Sequence, residues 1–154
     1  TFVTKKIIKA LVRIKMGYQK QLVLGNLDSK RDWGHARDYV EAMWKILQQK
    51  KPNDYVIATG KQHSIRQFIN FVAKKLNMKI IWKGTGLNEV GYDVLNKKKI
   101  ILVDKNYIRP LDVNTLLGNA AKARRELKWK PQINIHTLID EMITEEMNIL
   151  SNDQ

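Results

Sequence analysis

The sequence predicts an α/β fold, and two observations support that prediction. Amphipathic helix patterns alternate along the chain with short apolar runs of strand length. The 154 residues contain no internal repeat and no low-complexity linker, which suits one domain with a real core. We therefore expect residues 1–150 to form a single lobe and residues 151–154 to form a frayed tail.

Five helices are predicted from apolar residues at helical spacing and from capping residues at their ends. They cover approximately residues 4–16, 35–49, 65–76, 120–127 and 134–150. The second helix carries one apolar stripe, which we expect to be buried: Val40, Met43, Trp44 and Leu47. Ser64 is interpreted as a helix cap and not as a nucleophile, because no His–Asp arrangement accompanies it.

Strands are predicted where short apolar runs are bounded by turn-forming residues. The predicted strands are Gln21–Leu24, Tyr55–Ala58, Lys79–Trp82 and Ile100–Val103. The glycine- and lysine-rich segment 84–99 lacks helical periodicity and is expected to be a loop or hairpin.

Composition narrows the classes of partner and site. The formal net charge of +13 suits an anionic partner, but the lysines are scattered over helix faces without an aromatic pair or arginine-rich arm, so nucleic acid is not expected. No apolar run is long enough to span a bilayer, and the absence of cysteine permits a reducing compartment, so cytoplasm is the expectation. The three histidines, His35, His63 and His136, are too widely spaced to predict a metal site.

Two arginines could bind phosphate. Arg31 lies between a turn and a helix start, where a guanidinium could clamp a phosphate or could form an ion pair with Asp28 or Asp32, and the spacing does not decide between them. Arg109 offers the same chemistry, with Asp112 as an acceptor for a ribose diol, although a structural role is favoured for that segment in isolation. Lys6 could add a third cation or a donor to a base.

Five segments, in order, carry a resemblance to a known family. They are TFVTKKI, GNLDSKRDWGHARDYV, YVIATGKQHSIRQF, GTGLNEVGYD and YIRPLDVNTLLGNAAKARRELKWKP. Together they resemble the C-terminal half of the GDP-mannose 4,6-dehydratase family, which belongs to the extended short-chain dehydrogenase/reductases. The chain opens on Thr1-Phe2-Val3 without an initiator Met, and we expect it to be the later part of a longer protein whose N-terminal Rossmann part is not included.

The resemblance implies a substrate-binding lobe for a GDP-sugar. Val3 and Lys6 match family positions at the guanosine, Arg31 and Arg109 match the pyrophosphate clamp, and Asp112 matches an acidic ribose contact. The family usually has Glu at the last position, so the shorter Asp112 would reach the ribose through a bridging water. The implied partner is GDP-mannose or GDP, with neither nucleic acid nor membrane, and the full-length protein is expected to be a homo-oligomer.

The resemblance also implies a reaction. The family converts GDP-mannose to GDP-4-keto-6-deoxymannose and water through an internal redox cycle with NADP, on the route to GDP-fucose, and uses a Tyr-x-x-x-Lys pair. No tyrosine of this chain is followed by Lys four residues later, and Gly84-Thr85-Gly86 lacks the third glycine of a dinucleotide fingerprint. We therefore expect no catalytic residue here, NADP bound mainly outside the chain, and no activity from this segment alone.

Two other functions remain open at this point. A related nucleotide-sugar epimerase or reductase would share the lobe. A non-enzymatic polyanion-binding module would use the same basic surface without selecting a base.

Overall fold

The computed structural model describes residues 2–108, 111 and 113–152. The chain divides into two compact units. Unit 1 comprises Thr1–Ser29, Ser64–Asn114 and Ile139–Gln154, and unit 2 comprises Lys30–His63 and Thr115–Leu138. The single substrate-binding lobe over residues 1–150 stays a prediction.

The five predicted helices are confirmed within the described ranges. They are α1 (Val3–Lys15), α2 (Ala36–Leu47), α3 (Ile65–Lys75), α4 (Ala121–Glu126) and α5 (Ile135–Asn152). Helix α5 extends two residues into the predicted tail, and the last two residues of the chain lie outside the described part.

Six strands form two sheets in the described part of the chain. They are β1 (Leu22–Leu24), β2 (Lys30–Arg31), β3 (His63–Ser64), β4 (Ile80–Lys83), β5 (Val90–Asp93) and β6 (Lys98–Val103). The larger sheet has the order β1-β6-β5-β4; β1 and β6 are parallel, and the other two pairs are antiparallel. Strands β2 and β3 form the smaller sheet. The hairpin expected within 84–99 is confirmed, because β5 turns back into β6.

The core of unit 1 is formed by one face each of α1 and α3 together with the sheet. Apolar residues three and four positions apart line one side of each helix, so that side becomes buried. The least exposed large side chains of this unit are Ile7, Ile8, Leu11, Val12, Leu22, Phe68, Ile69, Val72, Ile100, Ile101 and Ile139.

A capping box begins helix α3. The Ser64 hydroxyl accepts the backbone N–H of Gln67 at 3.1 Å, and the Gln67 side-chain oxygen accepts the backbone N–H of Ser64 at 2.8 Å. Two amide groups that lack helical partners are thereby satisfied. The interpretation of Ser64 as a cap is confirmed.

Unit 2 has a smaller core made largely of alanines. Its buried residues are Ala42, Ala58, Ala120, Ala123, Leu127 and Trp129, with Tyr39, Ile46, Tyr55 and Ile57 packed against them. Trp129 is the largest residue of this core, and its side chain is fully buried.

The predicted strand Tyr55–Ala58 is wrong, because the segment has no strand pairing. Its apolar residues have another explanation. Ala58 is buried and Ile57 is half-buried in the alanine-rich core, so the run reflects side-chain packing and not a backbone ladder.

The predicted burial of the α2 stripe is also wrong. Val40, Met43, Trp44 and Leu47 are 60–80% exposed. A different face of α2, with Tyr39, Ala42 and Ile46, contacts the core. Helix α2 therefore has apolar residues on two sides, and the small Ala42 permits the close approach that selects the buried one.

Candidate functional site

Lys6 and Val3 lie on the same face of the first turns of α1, because residues three apart on a helix are neighbours. Both side chains are half-buried. The Lys6 ammonium lies over the ring of Tyr107, 3.9 Å from its centroid, which is a cation–π contact. Burial lowers the pKa of Lys6 from its ordinary value.

Tyr107 reaches Lys6 because its segment is held against the end of β1. The backbone N–H of Asp104, just after β6, donates to the carbonyl of Leu24 at 2.9 Å. A Cβ atom at Gly25 would overlap the Tyr107 carbonyl, so this close approach requires glycine. Lys6 and Tyr107 therefore lie where the parallel strands β1 and β6 end, and such carboxyl ends are common ligand sites in α/β folds.

Arg31 occupies the second position of β2 in unit 2 and is half-buried. Its Nη1 donates to the carbonyl of Lys30 at 2.8 Å. The same carbonyl accepts the backbone N–H of Leu116 at 3.3 Å, and Lys30 forms an isolated β-bridge with Thr115. The backbone leading into Arg31 is thus held by segment 115–116.

Asp32 is held by the segment that follows the alanine-rich core. Its Oδ1 accepts the hydroxyl of Thr59 at 2.5 Å, and its Oδ2 accepts the backbone N–H of Gly60 at 2.8 Å. Asp28, the other carboxylate considered as a partner of Arg31, forms an ion pair with Arg66 in unit 1.

Two titratable groups lie near the Asp32 carboxylate. The pKa of Tyr39 is raised, first by burial and then by the negative charges of Asp32 and Asp38. The pKa of His63 is lowered, first by burial and then by the neighbouring His136, although Asp32 acts in the opposite direction.

The sequence-predicted site residues fall into three groups. Val3 and Lys6 lie together in unit 1, and Arg31 lies in unit 2. Arg109 and Asp112 lie outside the described residues. The sequence does not by itself indicate Tyr107, which lies two positions before Arg109, as a site residue. The available signal is its position shortly after β6, the strand that pairs in parallel with β1.

Gly84-Thr85-Gly86 lies in a short connection after β4 and not in a dinucleotide-binding loop. It connects β4 to a 3₁₀ helix, Gly86–Asn88, and Glu89 just beyond is held by the guanidinium of Arg66 at 2.7 Å. A dinucleotide-binding loop instead leads from a strand into the N-terminus of an α-helix. The residues present here therefore do not fit NADP.

In the described part of the chain, no group of three His, Asp or Glu residues could hold a metal ion. None of the helices in those ranges combines the length and the apolar character that crossing a membrane would require.

Comparison with known proteins identifies the family. The family model described as GDP-mannose 4,6 dehydratase matches residues 1–142. GDP-mannose 4,6 dehydratase 2 of Caenorhabditis elegans is 45% identical over 153 residues, which are 99% of this chain and 40% of that protein. The human GDP-mannose 4,6 dehydratase is 43% identical over 149 residues, which are 97% of this chain and 40% of the relative.

Solved structures show the same fold. RMD from Pseudomonas aeruginosa, complexed with NADPH, superposes with a TM-score of 0.75 at 20% identity, over 96% of this chain and 43% of that one. UDP-glucose 4-epimerase from Bifidobacterium longum, in complex with NAD+ and UDP, gives a TM-score of 0.68 at 16% identity, over 96% of this chain and 39% of that one. The expected extended short-chain dehydrogenase/reductase fold is confirmed.

The chain spans about two fifths of the length of the curated relatives it matches. The family match extends over both units and includes the segments that carry Lys6 and Arg31. On this evidence, the chain belongs to the GDP-mannose 4,6-dehydratase family.

Proposed function

We propose that this chain supplies the GDP-binding part of a GDP-mannose 4,6-dehydratase, which converts GDP-mannose to GDP-4-keto-6-deoxymannose and water. The position of Lys6 carries the proposal. Its ammonium lies over the ring of Tyr107, a residue that is 54% exposed, at the carboxyl ends of β1 and β6. A cation beside an exposed aromatic surface suits a nucleotide, which presents both a planar base and negative phosphates.

Each predicted contact has a chemical reason. Lys6 and Val3 bind the guanosine end, and the guanidinium groups of Arg31 and Arg109 bind the pyrophosphate through paired hydrogen bonds. Asp112 accepts hydrogen bonds from the ribose through a water molecule. NADP is the cofactor of the whole protein and binds mainly to sequence outside this chain.

The chain alone is proposed to bind GDP without turning over GDP-mannose. It contains no Tyr-x-x-x-Lys pair, so it lacks the general base that the resemblance implies. The full-length protein is proposed to be a cytoplasmic homo-oligomer that takes part in deoxysugar and GDP-fucose biosynthesis.

Calorimetric titration with GDP, with UDP as the control nucleotide and at two salt concentrations, tests the proposal. Saturable binding of GDP in preference to UDP is expected. Arg31→Ala should abolish it, whereas Arg37→Ala, which removes one exposed positive charge on α2, should leave it unchanged. A folded chain that binds no GDP would overturn the proposal.

A polyanion-binding module is the second candidate, and the net charge of +13 favours it. It predicts equal binding of GDP and UDP, with affinity that falls steeply as salt is raised. In that case Arg31→Ala and Arg37→Ala would weaken binding equally. An epimerase or reductase that acts on another nucleotide sugar would instead show preference for a different base.

A further inference from the structure

We propose that Asp32 and Thr59 are positioning residues that hold Arg31 in the orientation needed to bind a pyrophosphate. The inference rests on the proposed function for the ligand, but its structural argument lies entirely within unit 2. Neither residue is expected to touch the substrate.

The Asp32 carboxylate is fixed by two donors, one for each oxygen. Oδ1 accepts the Thr59 hydroxyl at 2.5 Å, and Oδ2 accepts the backbone N–H of Gly60 at 2.8 Å. Hydrogen bonds to an ionised carboxylate are stronger than those between neutral groups. Asp32, the residue next to Arg31, is therefore held through both of its carboxylate oxygens.

The donors themselves are held in place. The Thr59 oxygen also accepts the backbone N–H of Lys61 at 3.2 Å, which closes a local turn. Gly60 has φ of +79°, a left-handed conformation that favours glycine. This conformation belongs to the turn that directs the Gly60 N–H towards Asp32.

The other side of Arg31 is anchored through Lys30. The Lys30 carbonyl accepts both the Arg31 Nη1 at 2.8 Å and the Leu116 N–H at 3.3 Å. Thr115, which bridges Lys30, accepts a hydrogen bond from Gln62 at 2.8 Å. The backbone of Arg31 thus lies between two anchored neighbours.

This arrangement has a functional consequence. A guanidinium binds a pyrophosphate more tightly if the backbone that carries it is already held in the required orientation. The conformational entropy of ordering that backbone is then lost on folding and not on binding. Thr59 is suited to this task because one hydroxyl both donates to Asp32 and accepts from Lys61. Valine has nearly the same shape and can do neither.

The test compares Thr59→Val with the conservative Thr59→Ser. Thr59→Val is expected to weaken GDP binding by about tenfold, which corresponds to the net worth of about one hydrogen bond. Thr59→Ser is expected to retain nearly the full affinity. Thr144→Val makes the same change on α5, where the hydroxyl donates to the Asp140 carbonyl of the same helix, and should leave GDP affinity unchanged. Equal affinity of Thr59→Val and the parent chain overturns the proposal.

A second readout needs no ligand. ¹⁵N relaxation measures the mobility of the Arg31 Nε–Hε group, whose resonance is assigned by its absence from the spectrum of Arg31→Lys. We expect larger side-chain mobility in Thr59→Val and the mobility of the parent chain in Thr59→Ser. Unchanged mobility in a folded Thr59→Val chain overturns the positioning role, even if the parent binds no GDP and the proposed function fails. Should Thr59→Val not fold, Asp32→Asn, which removes the charge that strengthens both hydrogen bonds, replaces it in both measurements.

Discussion

Trp129 donates its indole N–H to the main-chain carbonyl of Asp38 at 2.8 Å, inside the core of unit 2. The Asp38 carboxylate in turn accepts the backbone N–H groups of Gln132 and Ile133 at 3.0 Å each. Asp38 is almost fully buried, and its charge is balanced by these backbone donors. One residue of α2 therefore fixes the chain that follows α4.

Replacing Asp38 by Ala should lower the free energy of unfolding by about 3 kcal/mol, because two backbone donors lose a charged acceptor. Trp129→Phe, which removes the indole donor and some ring volume, should lower it by about 1–2 kcal/mol. Urea denaturation measures both. Lys130→Ala, a change at an exposed neighbour, should be nearly neutral, and similar values for all three variants would contradict the role of Asp38.

The exposed apolar stripe of α2 predicts self-association. Met43, Trp44 and Leu47 form a contiguous patch that soluble monomers rarely expose. Sedimentation velocity should show concentration-dependent association, which Met43→Gln combined with Leu47→Gln suppresses without loss of stability. Leu95→Gln, which removes an exposed leucine outside the stripe, serves as the control. A sharp monomer at every concentration would count against the prediction.

The bidentate pair of Arg66 and Glu89 predicts that replacing Arg66 alone lowers the free energy of unfolding more than replacing both residues together. Both guanidinium–carboxylate distances are 2.7 Å, and Glu89 is only 7% exposed. The hydrogen bonds that Arg66 donates to Glu89, and then the one it donates to Asp28, raise the pKa of Arg66. Arg66→Met should cost about 3 kcal/mol because it leaves a buried carboxylate uncompensated.

Adding Glu89→Gln to Arg66→Met should recover part of that loss, since the uncompensated charge is removed. The exposed pair Lys75–Asp140, at 2.6 Å, provides the matched control. Lys75→Met should change the free energy of unfolding by less than about 1 kcal/mol. Equal losses for Arg66→Met and Lys75→Met in chemical denaturation would refute the argument.

His63 predicts a pH dependence of stability. Burial, and then the neighbouring His136, lower its pKa in the folded state below the ordinary histidine value of 6.5. Below about pH 6.5 the unfolded chain therefore binds more protons at His63 than the folded chain does. The contribution of neutral His63 to the free energy of unfolding is fully present above that pH and is lost as the pH falls towards the folded pKa. Denaturation at several pH values between about 5 and 8 should show this decline, and His63→Gln should flatten it. His136→Gln should give an intermediate slope, because burial remains.

Local patterns were sufficient for the helices and for three strands of unit 1. Helix α3 is predicted because Ser64 offers an N-cap and the apolar residues that follow share one face. The structure adds Gln67, which completes a capping box. Strands β1, β4 and β6 followed from short apolar runs, because they pair in a sheet with one face buried. These signals depend on residues close together in the sequence.

Two patterns misled because they depend on distant packing. Tyr55–Ala58 has the composition of a strand, yet its side chains pack on the alanine-rich core without a paired neighbour. On α2, a stripe through Trp44 and a stripe through Ala42 both have helical spacing. Only the presence of α4 and Trp129 against Ala42 selects the second.

The residues of the candidate site also fall into those that the sequence indicates and those that only the structure indicates. Residue type and motif order were enough to propose Lys6 and Arg31, because phosphate binding requires cations. Tyr107 and Thr59 carry no motif of their own. Their importance comes from strand ends and turns that bring them to Lys6 and Asp32.

The sequence by itself determined the α/β class, the five helices, the family and the cations that are candidates for binding GDP. These properties are encoded in residue periodicity, capping chemistry and the order of motifs. Tertiary structure alone decided which face of α2 is buried, that residues 55–58 form no strand, and that Asp32 is anchored by Thr59. The physical reason is that burial and hydrogen bonding depend on which residues pack against a side chain. In this protein those residues lie tens of positions away along the chain, 27 for Asp32 and Thr59 and 91 for Asp38 and Trp129.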